Sequence, residues 1–134
     1  MTTISSKYLG TLRTESTHDQ SGTTLVTDAP KDNRGKGESF SPTDLAATAL
    51  GTCIVTTMAI RANDLGVAVE NMTFKTEKIM AANPRRIETI RVHIEWETPQ
   101  GTEEQREKLK AAGLSCPVGL SLHPNLKQDV TFNF

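Results

Sequence analysis

The stretch SPTDLAATALGTCIVTTMAIRANDLG, residues 41 to 66, constrains the fold more than any other part of the chain. Ser41 is an N-cap residue, Pro42 fits the first helical position where its missing N–H costs nothing, and Asp44 stands where a capping-box carboxylate belongs. Gly66 supplies the left-handed residue that ends a helix. Between these ends Leu45, Ala46, Ala49, Leu50, Cys53, Ile54, Met58 and Ile60 cover more than one helical face, so the spacing predicts a central helix that needs covering on several sides. Ala46, Ala47, Ala49 and Gly51 would let other backbone approach closely, and Cys53 falls within this packed interior.

The remaining elements are short. Lys7 to Glu15 and Thr23 to Asp28 read as two strands of an N-terminal hairpin around the turn THDQSG. APKDNRGKGESF, with Pro30, Gly35 and Gly37 and no periodicity, is expected to be a surface loop. VAVENMTFKTEKIM predicts a strand, AANPRR a turn, and the next strand alternates cleanly, with Ile90, Val92, Ile94 and Trp96 on one side and Arg91, His93, Glu95 and Glu97 on the other. Thr102 and Gln105 form a capping box for a helix over EEQREKLKAA, which Gly113 is expected to end. Pro117 fits the first position of a short helix beside Cys116, and Val130, Phe132 and Phe134 share a face of the last strand. The fold class is α+β, expected as one domain over residues 1–134.

Composition narrows the function. A net charge of −1 gives no electrostatic reason to expect nucleic acid or an anionic membrane as partner. MTTISSKYLG has no signal-peptide character, and no apolar run approaches the ~20 residues of a membrane helix. The expected location is the cytoplasm, where two cysteines are more often thiols or redox groups than a permanent bridge.

The chemistry therefore rests on Cys53 and Cys116, and three readings compete. Each can be a small apolar core residue. A metal site lacks support, because no CxxC or HxxxH spacing exists and His18, His93 and His123 are scattered; no cofactor is expected. The third reading is a redox pair, one thiolate attacking a peroxide and the other resolving the sulfenic acid. On local grounds Cys116, beside a helix N-terminus, is the better thiolate, whereas a helix-interior Cys53 would need a neighbouring cation.

SPTDLAATALGTC and, near the C-terminus, SCPVGLSLHP together resemble the paired cysteine motifs of the OsmC/Ohr family, the osmotically induced and organic hydroperoxide resistance proteins, specifically its OsmC-like branch. The resemblance covers nearly the whole chain. It implies an intertwined homodimer with central helices enclosed by wrapped sheets and active sites at the subunit interface. It implies further that Cys53 is the peroxidatic thiol and Cys116 the resolving one, reversing the local preference, with an organic hydroperoxide as substrate and an external dithiol as reductant. Where hydroperoxide-resistance members carry a glutamate after the proline, this chain has Thr43 followed by Asp44, which is the candidate for that carboxylate against its plainer reading as a cap. Arg13, and less directly Arg34, are the candidates for the activating arginine. The alternative is a non-enzymatic dimeric domain binding a small apolar ligand, with the cysteines as packing groups.

Overall fold

A computed structural model describes residues 1–134, and the chain divides into two compact units, Met1–Leu45 and Ala46–Phe134. The N-terminal unit is an antiparallel meander of β1 (Ile4–Gly10), β2 (Arg13–His18) and β3 (Thr24–Asp28). The hairpin around THDQSG is β2–β3. The stretch from Lys7 to Glu15, however, is not one strand, because the chain reverses at Gly10, Thr11 and Leu12, whose φ values are 84°, 53° and 66°. Three consecutive left-handed residues close a tight hairpin whose twist suits the flanking strands. Only Gly10 is a residue that prefers that conformation, which is why the sequence hides the turn.

The loop after β3 wraps around one buried acid. Asp28 Oδ2 accepts from the Glu38 backbone N–H at 2.9 Å and from Arg13 Nη2 at 3.4 Å, while Arg13 also pairs with Glu38. Gly35 is pressed against Ala29, where a Cβ would fall 1.7 Å from the Ala29 carbonyl oxygen. Asp28 is fully shut off from water by these neighbours. The Glu38 N–H first, and Arg13 after it, hold the Asp28 carboxyl below its ordinary range, against the opposing effect of burial. A lowered folded pKa means that the unfolded chain binds the proton more readily, so this contribution is present above the ordinary value of 3.8 and is lost as pH falls through the folded one. Asp28→Asn is therefore expected to lower stability at neutral pH and to flatten its decline in acid. Urea unfolding followed by circular dichroism at neutral and acid pH measures both effects.

The long helix forms as the sequence indicates, as α1 (Pro42–Leu65). Its capping box is complete: the Asp44 N–H donates to Ser41 Oγ at 3.0 Å and the Ser41 N–H to Asp44 Oδ2 at 2.9 Å. Gly66, at φ 68°, ends it, and the Val67 N–H folds back onto the Ala62 carbonyl. At 24 residues, with a mean hydropathy of 1.5 over its most apolar window, α1 is long and apolar enough to cross a membrane by length and composition alone, which corrects the expectation from the sequence. Its buried residues Ala47, Leu50, Gly51, Ile54, Met58 and Ala62 nevertheless recur every three or four positions, the pattern of a helix packed by one face on a core. Ile60, by contrast, is 59% exposed.

The second unit places that face against a sheet of β4 (Met72–Ala81), β5 (Arg86–Trp96) and β6 (Lys127–Asn133), in the order β4-β5-β6. β4 starts later than predicted: Asn71, at φ 57°, turns the chain before it, and Val67 is spent on the core. β5 alternates as read. Ile90, Val92, Ile94 and Trp96 are all buried, and on the other face Arg91 bridges Glu77 at 3.0 Å and Asp129 at 3.1 Å, linking all three strands. β6 runs parallel to β5. Such a pairing needs a crossover, and α2 (Glu103–Gly113) and α3 (Pro117–Ser121) supply it. The Thr102–Gln105 capping box opens α2 as expected. Gly113 does not end this helix by a left-handed turn. It is the last helical residue, and it is small because a Cβ there would lie 2.9 Å from Met58 Cγ and 3.0 Å from Ile54 Cγ2.

Candidate active site

The helix α1 and the turn leading into α3 bring the two sulfurs together. Cys116 is the N-cap of α3, and its Sγ accepts the Gly119 N–H at 3.3 Å. Pro117 at the first helical position fixes the turn. Gly119 is required by it, since a Cβ there would stand 3.2 Å from Cys116 Sγ and 2.9 Å from Gln128 Oε1. Gln128 in turn donates from Nε2 to the Gly119 carbonyl at 2.8 Å, tying α3 to the start of β6. Gly119 and Gln128 were missed in the sequence. The only signal was a glycine three residues after a cysteine cap.

Cys53 lies on α1 one residue before core residue Ile54, half-buried, and its side chain is within hydrogen-bonding reach of the Cys116 thiol. Both cysteines are free thiols. They differ in burial: Cys116 is 1% exposed, whereas Cys53 keeps access to solvent. Burial pushes the Cys116 thiol up from its ordinary 9.0; the Gly119 N–H opposes this, and the hydrogen bond and negative charge of Cys53 add to it. The lowering of the Cys116 thiol expected on local grounds is therefore not found. A helix of five residues offers little dipole, and desolvation of the sulfur outweighs it. Cys116 thus holds its proton and can donate it toward Cys53.

Asp44, Arg13 and Arg34 sit in the N-terminal unit. Asp44 is engaged in the capping box of α1. Arg13 is clamped by Asp28 and Glu38, which hold its guanidinium firmly protonated. Arg34 closes a short 3-10 turn (Lys31–Asn33) in the left-handed conformation, at φ 70°. His18 bonds Ser21 Oγ at 2.6 Å, and His93 bonds Thr131 Oγ1 at 2.6 Å on the outer face of β5. His123 Nδ1 accepts the Asn125 N–H at 3.0 Å. No group of three or more histidine, cysteine or acidic side chains is arranged to hold a metal.

The family model described as OsmC-like protein matches residues 35–131, a span that contains both cysteines. The chain belongs to the OsmC-like family. Among solved structures of this family, one of an osmotic stress induced and detoxification response protein from Psychrobacter arcticus 273-4 is 40% identical, with a TM-score of 0.93 over 99% of this chain and 96% of the other. An organic hydroperoxide resistance protein OsmC from Legionella pneumophila is 17% identical, with a TM-score of 0.78 over 100% and 97% of the two chains. The organic hydroperoxide resistance protein OhrB of Bacillus subtilis is 12% identical, with a TM-score of 0.73 over 99% and 98%. At such identities these last two share the OsmC-like fold. No curated protein matches the sequence.

Proposed function

We infer that this OsmC-like protein is a thiol-dependent peroxidase that reduces organic hydroperoxides, with Cys53 as the attacking thiol and Cys116 as the resolving one. The observation that carries the reading is the contact between two free thiols of unequal burial. The accessible sulfur is the one a peroxide can meet. The buried one keeps its proton until the first step has occurred.

In the first step the Cys53 sulfur attacks the distal peroxide oxygen and the O–O bond breaks. Sulfur is oxidised to the sulfenic acid, and the alcohol leaves with the proton that the thiol gave up. The Cys116 sulfur then attacks the Cys53 sulfur. An S–S bond forms, and the sulfenic oxygen departs as water with the Cys116 proton. An external dithiol returns two electrons and two protons by thiol–disulfide exchange. The resemblance leaves Arg13 and, less directly, Arg34 as candidates for a cation that favours the Cys53 thiolate; Asp28 and Glu38 hold the Arg13 guanidinium. Asp44 serves by starting the helix that carries Cys53.

The protein is further proposed to act as a homodimer in the cytoplasm. Ile4, Tyr8, Phe40 and Ile60 are all more than half exposed, and α1 buries only one face, which supports a second copy as their cover. The reaction itself is tested by following cumene hydroperoxide consumption in the presence of dithiothreitol. Catalytic turnover is expected. Loss of no more peroxide than the uncatalysed mixture consumes would favour a binding domain in which the thiols only pack.

A further inference from the structure

A concavity whose lining includes neither cysteine lies where the start of β5 faces the segment that joins α3 to β6. It is a cleft of about 450 Å³ lined by Arg86, Ile87, Leu122, His123, Asn125 and Leu126. Its volume falls within the roughly 300–1,000 Å³ of small-molecule sites, and its lining has their character of an apolar body with a few polar groups.

The polar groups are all poised to donate. Arg86 Nη1 is anchored on the Pro84 carbonyl at 2.8 Å and the Ala82 carbonyl at 3.3 Å, which leaves Nη2 and Nε for another acceptor. His123 Nδ1 already accepts the Asn125 N–H, so the neutral imidazole carries its proton on Nε2 and is a donor there. Asn125 adds an amide N–H₂. No carboxylate lines the cleft, and Arg86 is its one fixed charge. Ile87, Leu122 and Leu126 are half-buried and supply an apolar wall. One cation with an imidazole and an amide donor suits a single carboxylate, and the wall suits a short hydrocarbon tail.

We propose that this cleft is a binding site for a small amphipathic monocarboxylate, with Arg86 holding the carboxylate and Ile87, Leu122 and Leu126 the tail. The site is independent of the peroxidase reading, since neither cysteine takes part. The test is a nuclear magnetic resonance titration of the full chain with octanoate, octanol and acetate, following backbone amides and the His123 ring. Octanoate is expected to produce saturable shifts confined to residues 86–87 and 122–126, with octanol and acetate each binding at least about tenfold more weakly. Arg86→Gln should weaken octanoate binding about tenfold or more, and Arg86→Lys should restore part of it while losing the planar fork. Folding of each variant is read from the unshifted remainder of the spectrum. Absence of saturable shifts, equal binding of octanol, or octanoate binding unchanged by Arg86→Gln would overturn the proposal.

Discussion

Cys53→Ser is expected to abolish consumption of cumene hydroperoxide, whereas Cys116→Ser should still reduce one equivalent and then stop. The reason is the asymmetry of the pair. A serine at position 53 leaves no accessible sulfur, because the remaining thiol is 1% exposed and held protonated by its surroundings. A serine at position 116 leaves the attacking sulfur in place and removes only the group that forms the disulfide. The Cys53 sulfenic acid then accumulates, open to trapping by a dimedone probe and to overoxidation. Stopped-flow peroxide loss with mass spectrometry of the trapped product reads both variants. If Cys53→Ser consumes peroxide as fast as the parent protein, the assignment of roles is wrong.

The largest effect on stability is expected at Leu50, which is fully buried and belongs to the face of α1 packed on the core. Its Cδ1 lies 3.5 Å from where a Cβ on Gly119 would stand, so this side chain backs the turn that presents Cys116. Leu50→Ala removes three buried carbons and leaves a cavity under α3, at a cost of about 2–5 kcal/mol. The same change should slow disulfide formation, because the Cys116 turn loses its support. Urea unfolding gives the first quantity and the rate of thiol loss after one equivalent of peroxide gives the second. A variant as stable as the parent would mean that Leu50 is not part of a close-packed core.

Much of the scaffold was legible because local signals agree with tertiary need. Ser41, Pro42, Asp44 and Gly66 bound α1 correctly, Thr102 and Gln105 opened α2, and the alternation from Ile90 to Trp96 matched burial residue by residue. The misses have physical causes. The β1–β2 turn uses Thr11 and Leu12 at positive φ, which no sequence preference announces. Gly113 does end α2 as read, but the contact its small size allows with Ile54 and Met58 on another helix is not visible in the sequence. The parallel pairing of β5 with β6 is invisible in either strand alone.

The site was half legible for the same reason. The N-cap position of Cys116 followed from Pro117, and the motifs around Cys53 and Cys116 lie within the matched OsmC-like span. The raised position of the Cys116 thiol did not follow, because it depends on burial of the sulfur, a property of the folded unit. A short helix beginning at Cys116 is visible in the sequence, whereas the burial of the sulfur is not.

The central claim is that these two thiols form one redox pair, and peptide mapping tests it most directly. The reduced protein is treated with one equivalent of cumene hydroperoxide, blocked with an alkylating agent and digested without reductant. The account predicts one disulfide-linked species joining the Cys53 and Cys116 peptides of the same chain, reopened by dithiothreitol. Recovery of both cysteines as alkylated thiols, or of Cys53 overoxidised beside an untouched Cys116, would contradict it.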